Sequence, residues 1–390
     1  MARTHSIDDR ISRRDALRRT VFGAAWAGTI LGSGAALHTA HAQEIPKVAP
    51  PGVGLPRVVL VSMGGTIASK ASSRLNLNNY GGKGNRVAPE DWTGALPELA
   101  LIARVTTEDQ RPPEDPSGGP GGGMTTAHIR QVAAKVQALV DDPSVDGVVI
   151  THGTNTMAET AWFMNLVLNT AKPVVFVGAQ RPWSGLSGDG PLNLINAVRV
   201  AASPEAAGKG VLHVMNQNIN AARDVMKTSA YRVEAFRSPD LGTLGVVDPD
   251  RVVFHTAPLR RHTRASEFHL AGLPEALPPV EVLYGYTDAP GYLFDAMLSN
   301  GVKGIIIDGT GAGALAGGQV DGVKRAQAAG VVVVATTRTR SGRVQDTQRR
   351  REASILPGDN LQPEKARILL QLALAKGLGF EAIRKIFHDY

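Results

Sequence analysis

The chain has no cysteine among its 390 residues. Disulfide staples, a thiolate nucleophile and cysteine-ligated metals are therefore excluded, and such a composition suits an oxidising compartment. Aromatic residues are scarce, at 5%, and charged residues make up 20%. No basic stripe interleaved with aromatics is present, so the net charge of +7 does not read as a nucleic-acid footprint. Six arginines against three aspartates within residues 1–42 carry part of that charge, and without them the net falls to +4. Arg260-Arg261 and Arg349-Arg350-Arg351 read as solvated loop charges. The ten histidines show no HExxH or comparable spacing, so no metal is expected. No repeat of solenoid period is visible.

The first 42 residues read as a signal peptide. Ser12-Arg13-Arg14-Asp15-Ala16-Leu17 precedes an apolar run from Val21 to Leu37, and Ala40-His41-Ala42 supplies a small-x-small cleavage pattern. The Arg13-Arg14 pair followed by Leu17 resembles a twin-arginine export signal, which predicts a periplasmic protein. Gly, Ser and Thr interrupt the apolar run, and it is short for a membrane span, so no membrane association is expected after cleavage. Residues 43–56 are a Pro- and Gly-rich lead into the domain.

Beyond the leader, short apolar runs alternate with helical patterns, the signature of an α/β fold with a parallel sheet. Strands are expected at Arg57–Ser62, Val145–Thr151, Pro173–Gly178 and Gly210–Asn216, with helices at Thr126–Val140, Ala158–Asn169 and Leu192–Ala202. The stretch 251–279 has little periodicity and divides an N-terminal α/β domain, 57–250, from a C-terminal α/β domain, 280–390. In the latter, strands at Val280–Tyr286, Val302–Asp308 and Val331–Thr336 alternate with helices, ending in Pro363–Leu374 and Phe380–Phe387. Loops at the carboxyl ends of such strands are where ligands bind.

Two of those loops carry hydroxyls. Ser62-Met63-Gly64-Gly65-Thr66-Ile67-Ala68-Ser69 closes the first strand, and its glycines let the backbone turn sharply beside a ligand. Thr66 then projects from the strand end among backbone N–H groups, the setting in which an oxyanion is stabilised. An isolated Gly-Gly-Thr more often only caps a local amide. Thr151-His152-Gly153-Thr154-Asn155-Thr156-Met157-Ala158-Glu159-Thr160 closes the second strand, and Asn155 or Thr156 with Glu159 also fits a helix cap. His152 alone reads as a core or turn histidine. Hydroxyls at the ends of two strands expected to be neighbours are harder to explain by packing.

GGTIAS with THGTNTMAETA resembles the double-threonine signature of the bacterial L-asparaginase/glutaminase family. The likeness continues through VGAQRPWSGLSGDGPLNLINAVRVAA, APLRRHT and PEKARILLQLALAKG, covering nearly the whole chain after about residue 57. It implies a larger N-terminal and a smaller C-terminal α/β domain, a homotetramer built as a dimer of dimers with sites between paired subunits, a small-molecule amide substrate, and no metal or organic cofactor. By the same resemblance Thr66 is the nucleophile, Tyr80 on the following loop assists it, and Thr154 activates the water for deacylation. Ala179 presents its backbone to the substrate amide.

Departures from the pattern mark the same site. Asn155 stands where the family has an aspartate that grips the substrate's α-ammonium group, and an amide supplies no charge there. The family lysine is expected after NAVRVAA, where this chain has Ser203-Pro204-Glu205; the nearest lysine is Lys209. Pro116–Gly123 replaces the loop that offers a serine to the α-carboxylate, and Ser117 is the candidate to stand in. Gln348 takes the place of a glutamate that partners the loop tyrosine. These observations predict a threonine-dependent amide or ester hydrolase with weakened grip on free asparagine. The alternative is an exported binding protein of the same fold with lost catalysis. A dinucleotide site at Gly309-Thr310-Gly311-Ala312-Gly313 lacks the last glycine of the fingerprint, and that loop reads as a turn.

Overall fold

The computed structural model describes residues 54–82, 84–112 and 124–390. The leader and Ser117 lie outside the described residues.

The first sheet is built on strands β1 (Arg57–Ser62), β2 (Arg104–Asp109), β3 (Gly147–Thr151), β4 (Val174–Val177) and β5 (Val211–Met215). Helices α1 (Pro89–Ala95), α2 (Thr126–Asp141), α3 (Met157–Val167) and α4 (Gly190–Ala201) connect them. Short strands β6 (Asn218–Ala221), β7 (Met226–Lys227), β8 (Phe236–Arg237), β9 (Gly245–Val247) and β10 (Val252–Phe254) follow. Eight strands lie in the order β10-β9-β6-β5-β4-β3-β1-β2. From β2 to β5 neighbours are parallel, and β6, β9 and β10 add antiparallel pairs. Continuous Val and Ile runs suit such strands, because helices cover both faces; every residue of β3, β4 and β5 is buried.

A second sheet, β11 (Val280–Tyr284), β12 (Gly304–Gly309), β13 (Val332–Thr337) and β14 (Leu356–Pro357), is parallel throughout in that order. Its helices are α5 (Tyr292–Ser299), α6 (Gln319–Ala328), α7 (Gln348–Glu352), α8 (Pro363–Ala375) and α9 (Phe380–Asp389). The α/β class, with a large parallel-rich sheet and a smaller parallel one, is as the sequence predicts. One buried apolar cluster runs through both sheets, joining Val59, Ile150 and Trp162 to Ile306, Leu369 and Ile386.

Two details differ from expectation. β2 (RVTTED) is an edge strand, half exposed and polar along its length, so no apolar run announces it. β10 lies within the stretch taken as aperiodic connector and extends the first sheet to Phe254. The Gly309–Gly313 loop is a turn, closed by paired main-chain bonds between Thr310 and Ala314. Arg350 donates to the carbonyls of Ala312 and Gly313.

Candidate active site

β1 and β3 are adjacent and parallel, with Ser62 opposite Thr151, so their carboxyl-end loops emerge together. The Met63 N–H donates to the Thr151 carbonyl at 2.9 Å. Gly64 and Gly65 follow at φ +85° and +91°, the left-handed region that favours glycine. A Cβ on Gly65 would sit 2.5 Å from the Gly153 backbone. The two loops therefore touch main chain to main chain, and the residue after each glycine is a threonine.

Thr66 opens a single 3₁₀ turn, Thr66–Ala68. Its Oγ1 lies 2.9 Å from the Tyr80 hydroxyl in a partly buried contact. The loop bearing Tyr80 is held at its base, where Lys70 N–H donates to Asn85 O and Gly81 N–H to Lys70 O. It also docks on the segment after β4: Trp183 N–H donates to Ser69 O at 2.8 Å, Leu186 N–H to Arg74 O at 2.8 Å, and Ala71 N–H to Ser184 Oγ at 2.8 Å.

Thr154 is buried, and its Oγ1 accepts a hydrogen bond from Lys227 Nζ at 2.8 Å. The same ammonium stands 3.5 Å from Asn155 Oδ1. This corrects the sequence reading, which sought the lysine at Pro204. Pro204 lines a separate cavity with Leu55, Asp146 and Pro173, at the amino ends of the parallel strands. A side chain there stands at the far end of the sheet from both threonines. Lys209 is no substitute, its ammonium lying 4.9 Å over the Phe254 ring. Lys227 comes from β7, whose two residues pair with β8 and carry no periodic signal. The one sequence clue was a lysine beside the otherwise apolar Ala221-Ala222 and Val225-Met226.

Thr154, Asn155, Glu159, Lys227, Arg340 and Glu364 line a cavity of about 240 Å³ with Ala158 and Met226. The capping role expected for Asn155 or Thr156 with Glu159 does not form. Thr156 occupies the N-cap of α3 with no side-chain cap bond, and Glu159 faces the cavity. Burial, reinforced by the nearby Glu364, raises the Glu159 pKa, and burial lowers that of Lys227. Arg340 bridges Asp308 at 3.2 Å and Glu364 at 3.5 Å across the floor. His152 does not line that cavity. It is buried, its Nδ1 lies 2.7 Å from Gly153 O, and burial lowers its pKa to about 4, so it is neutral at pH 7.

Ala179 is buried just beyond β4. Its loop is fixed by Asp189, which accepts from Gln180 N–H at 2.9 Å and Arg181 N–H at 3.0 Å. A Cβ on the preceding Gly178 would meet Thr154 Cγ2 at 3.1 Å, so this third loop abuts the second. Gln348 is exposed on α7 and donates to Glu352 at 2.8 Å, within its own helix. Among the described residues no group of three or more His, Asp or Glu side chains is placed to hold a metal ion.

The arrangement offers one hydroxyl paired to a phenol and a second paired to an amine, on two adjoining strand-end loops. Residues 57–260 match the family model "Asparaginase, N-terminal", and residues 279–387 match "Glutaminase/Asparaginase C-terminal domain". L-asparaginase 2 of Bacillus subtilis is 39% identical over 86% of this chain and 87% of its own. Glutaminase-asparaginase of Pseudomonas fluorescens biotype A is 36% identical over 86% of this chain and 91% of its own. The crystal structure of a probable cytoplasmic L-asparaginase from Campylobacter jejuni superposes with a TM-score of 0.80 at 35% identity, covering 86% of this chain and all of that one. The chain belongs to the bacterial type II-like asparaginase family and is a hydrolase acting on amides.

Proposed function

We propose that Thr66 is the nucleophile of this hydrolase and that Thr154 with Lys227 activates the water that completes the reaction. The supporting observation is the pairing of each hydroxyl with a proton-handling group, Tyr80 at 2.9 Å and Lys227 at 2.8 Å, on loops in backbone contact. A threonine hydroxyl is a weak nucleophile and needs such a partner. In acylation, Thr66 Oγ1 bonds to the amide carbon and its proton passes to the Tyr80 oxygen. The phenol gives its own proton to the departing nitrogen, and ammonia leaves. Backbone N–H groups of the strand-end loops and the Ala179 turn are the candidates to hold the oxyanion. Water then attacks the acyl-enzyme, its proton taken through Thr154 by neutral Lys227. The ester C–O bond breaks, and Thr66 Oγ1 takes a proton from Tyr80. The carboxylic acid product reprotonates the phenolate and leaves as carboxylate, and Lys227 gives its proton to solvent.

Burial favours the neutral amine that this role demands. Asn155 beside it adds no charge, so the grip on an α-ammonium group is weak and a substrate with a blocked amine is preferred. Purified protein is incubated with asparagine, glutamine and N-acetyl-asparagine, and ammonia is measured. The expected order places the blocked amide first, and rapid turnover of free asparagine refutes the preference. A threonine-directed diazo-ketone is expected to label Thr66 and to leave Thr66→Ala unmodified. The alternative of a binding protein loses its main support with Lys227 in contact with Thr154.

We also propose export by the twin-arginine route and a tetrameric assembly. Edge strand β11 exposes Val282 and Tyr284, with Tyr286, Tyr292 and Leu293 also exposed, an apolar surface that favours a partner copy. Periplasmic fractionation of the Arg13→Lys/Arg14→Lys double variant and light scattering of the native protein test the two readings. A normally exported variant or a monomeric protein contradicts them.

A further inference from the structure

Lys365 on α8 is fully buried and pairs with no carboxylate among the described residues. Its ammonium donates instead to three carbonyls, Ala222 at 2.8 Å, Arg223 at 2.8 Å and Val225 at 2.5 Å. Burying a cation is costly unless its protons are all taken up, and three converging carbonyls take up all three. The same residue's own carbonyl accepts from Trp162 Nε1 at 3.0 Å. Val225 precedes Lys227 by two residues, and Trp162 belongs to α3, the helix that follows Thr154-Asn155. Lys365 thus joins the two segments that supply the Lys227–Thr154 contact while lying outside the 240 Å³ cavity those side chains line.

We propose that Lys365 is a positioning residue for the hydrolysis, fixing the path of residues 222–225 so that the Lys227 amine meets the Thr154 hydroxyl. The inference rests on the reading of Lys227 as the base for deacylation. Charged groups around the pair are Glu159 and Glu364 on α3 and α8, Arg340 across the cavity, and Asp224 and Arg223 on the held segment. None of them bonds Lys227; among the described residues its hydrogen-bond partners are Thr154 and Asn155.

The test uses full-length mature protein with Lys365→Met, Trp162→Phe and Lys227→Met, singly and as pairs. Competitive acylation of lysines across pH, read by mass spectrometry, gives the titration midpoint of Lys227 without reference to activity. In Lys365→Met the midpoint is expected to rise toward the ordinary lysine value of 10.5. The rate kcat is expected to fall about tenfold or more with KM changed less than about threefold, and adding Lys365→Met to Lys227→Met is expected to cost little further. Trp162→Phe, which keeps the buried ammonium, is expected to move both readouts the same way and decides the matter if Lys365→Met does not fold. An unmoved Lys227 midpoint in a folded variant, or independent multiplicative losses in the paired variants, overturns the proposal. A native chain that hydrolyses nothing and leaves Thr66 unlabelled overturns the threonine reading instead, while the Lys227 midpoint still tests the positioning.

Discussion

Asn155 and Lys227 share one wall of the cavity, an amide oxygen 3.5 Å from an amine. Replacing the amide by a carboxylate, Asn155→Asp, does two separable things. It supplies an anion for a substrate ammonium, and charge-assisted hydrogen bonds exceed neutral ones by about 1 kcal/mol or more. The expected gain in kcat/KM for free asparagine is about tenfold, with little change for the N-acetyl amide. It also stabilises charged Lys227 against the burial that now favours the neutral form. Deacylation needs that neutral form, so the rising limb of the pH–rate profile moves to higher pH in the variant. A limb that stays in place shows that Lys227 is not the titrating base.

Among the elements, the two strand-end loops matter most, because their threonines are aligned only while Gly65 and Gly153 touch. Gly65→Ala places a methyl 2.5 Å from the Gly153 backbone at φ +91°, so the loops must part. A displacement near 1 Å is enough to lower kcat about a hundredfold, and the backbone strain costs about 1–3 kcal/mol of stability. Steady-state kinetics and thermal denaturation check both. Strands β1, β3 and β4 were legible in sequence because apolar runs end in Gly-bearing turns, and α2, α4 and α8 because their apolar faces recur at helical spacing. Thr66 and Thr154 lie in contiguous motifs that single them out in sequence, whereas Tyr80 was named by the family resemblance alone. Lys227 was not legible: its strand has two residues, and its approach to Thr154 depends on a segment tied down by α8, more than a hundred positions away. The polar edge strand β2 escaped for the related reason that half its side chains face solvent.

Over the whole molecule, one of three buried apolar clusters spans both sheets, and its Phe176 and Phe236 pack against two buried histidines, His152 and His213. Burial lowers His152 to about 4 and His213 to about 3, from an ordinary 6.5. The unfolded chain therefore binds protons that the folded one refuses, and the stability these residues contribute is whole above pH 6.5 and drains away between 6.5 and about 3. Glu159 and Asp308, both raised, act in the opposite sense and offset part of the loss. The melting temperature is expected to drop between pH 7.5 and 4.5, and less so in His213→Leu; equal drops in both proteins contradict the assignment. A different consequence follows from the loop bearing Tyr80, clasped to the segment after β4 by Ser69, Ala71 and Arg74. Each clasp is worth about 1 kcal/mol net, so the loop unlatches in a small share of molecules at any instant. Were it to close over bound substrate, every turnover would await that unlatching, and the wait would cap the rate however fast the bond-making steps become.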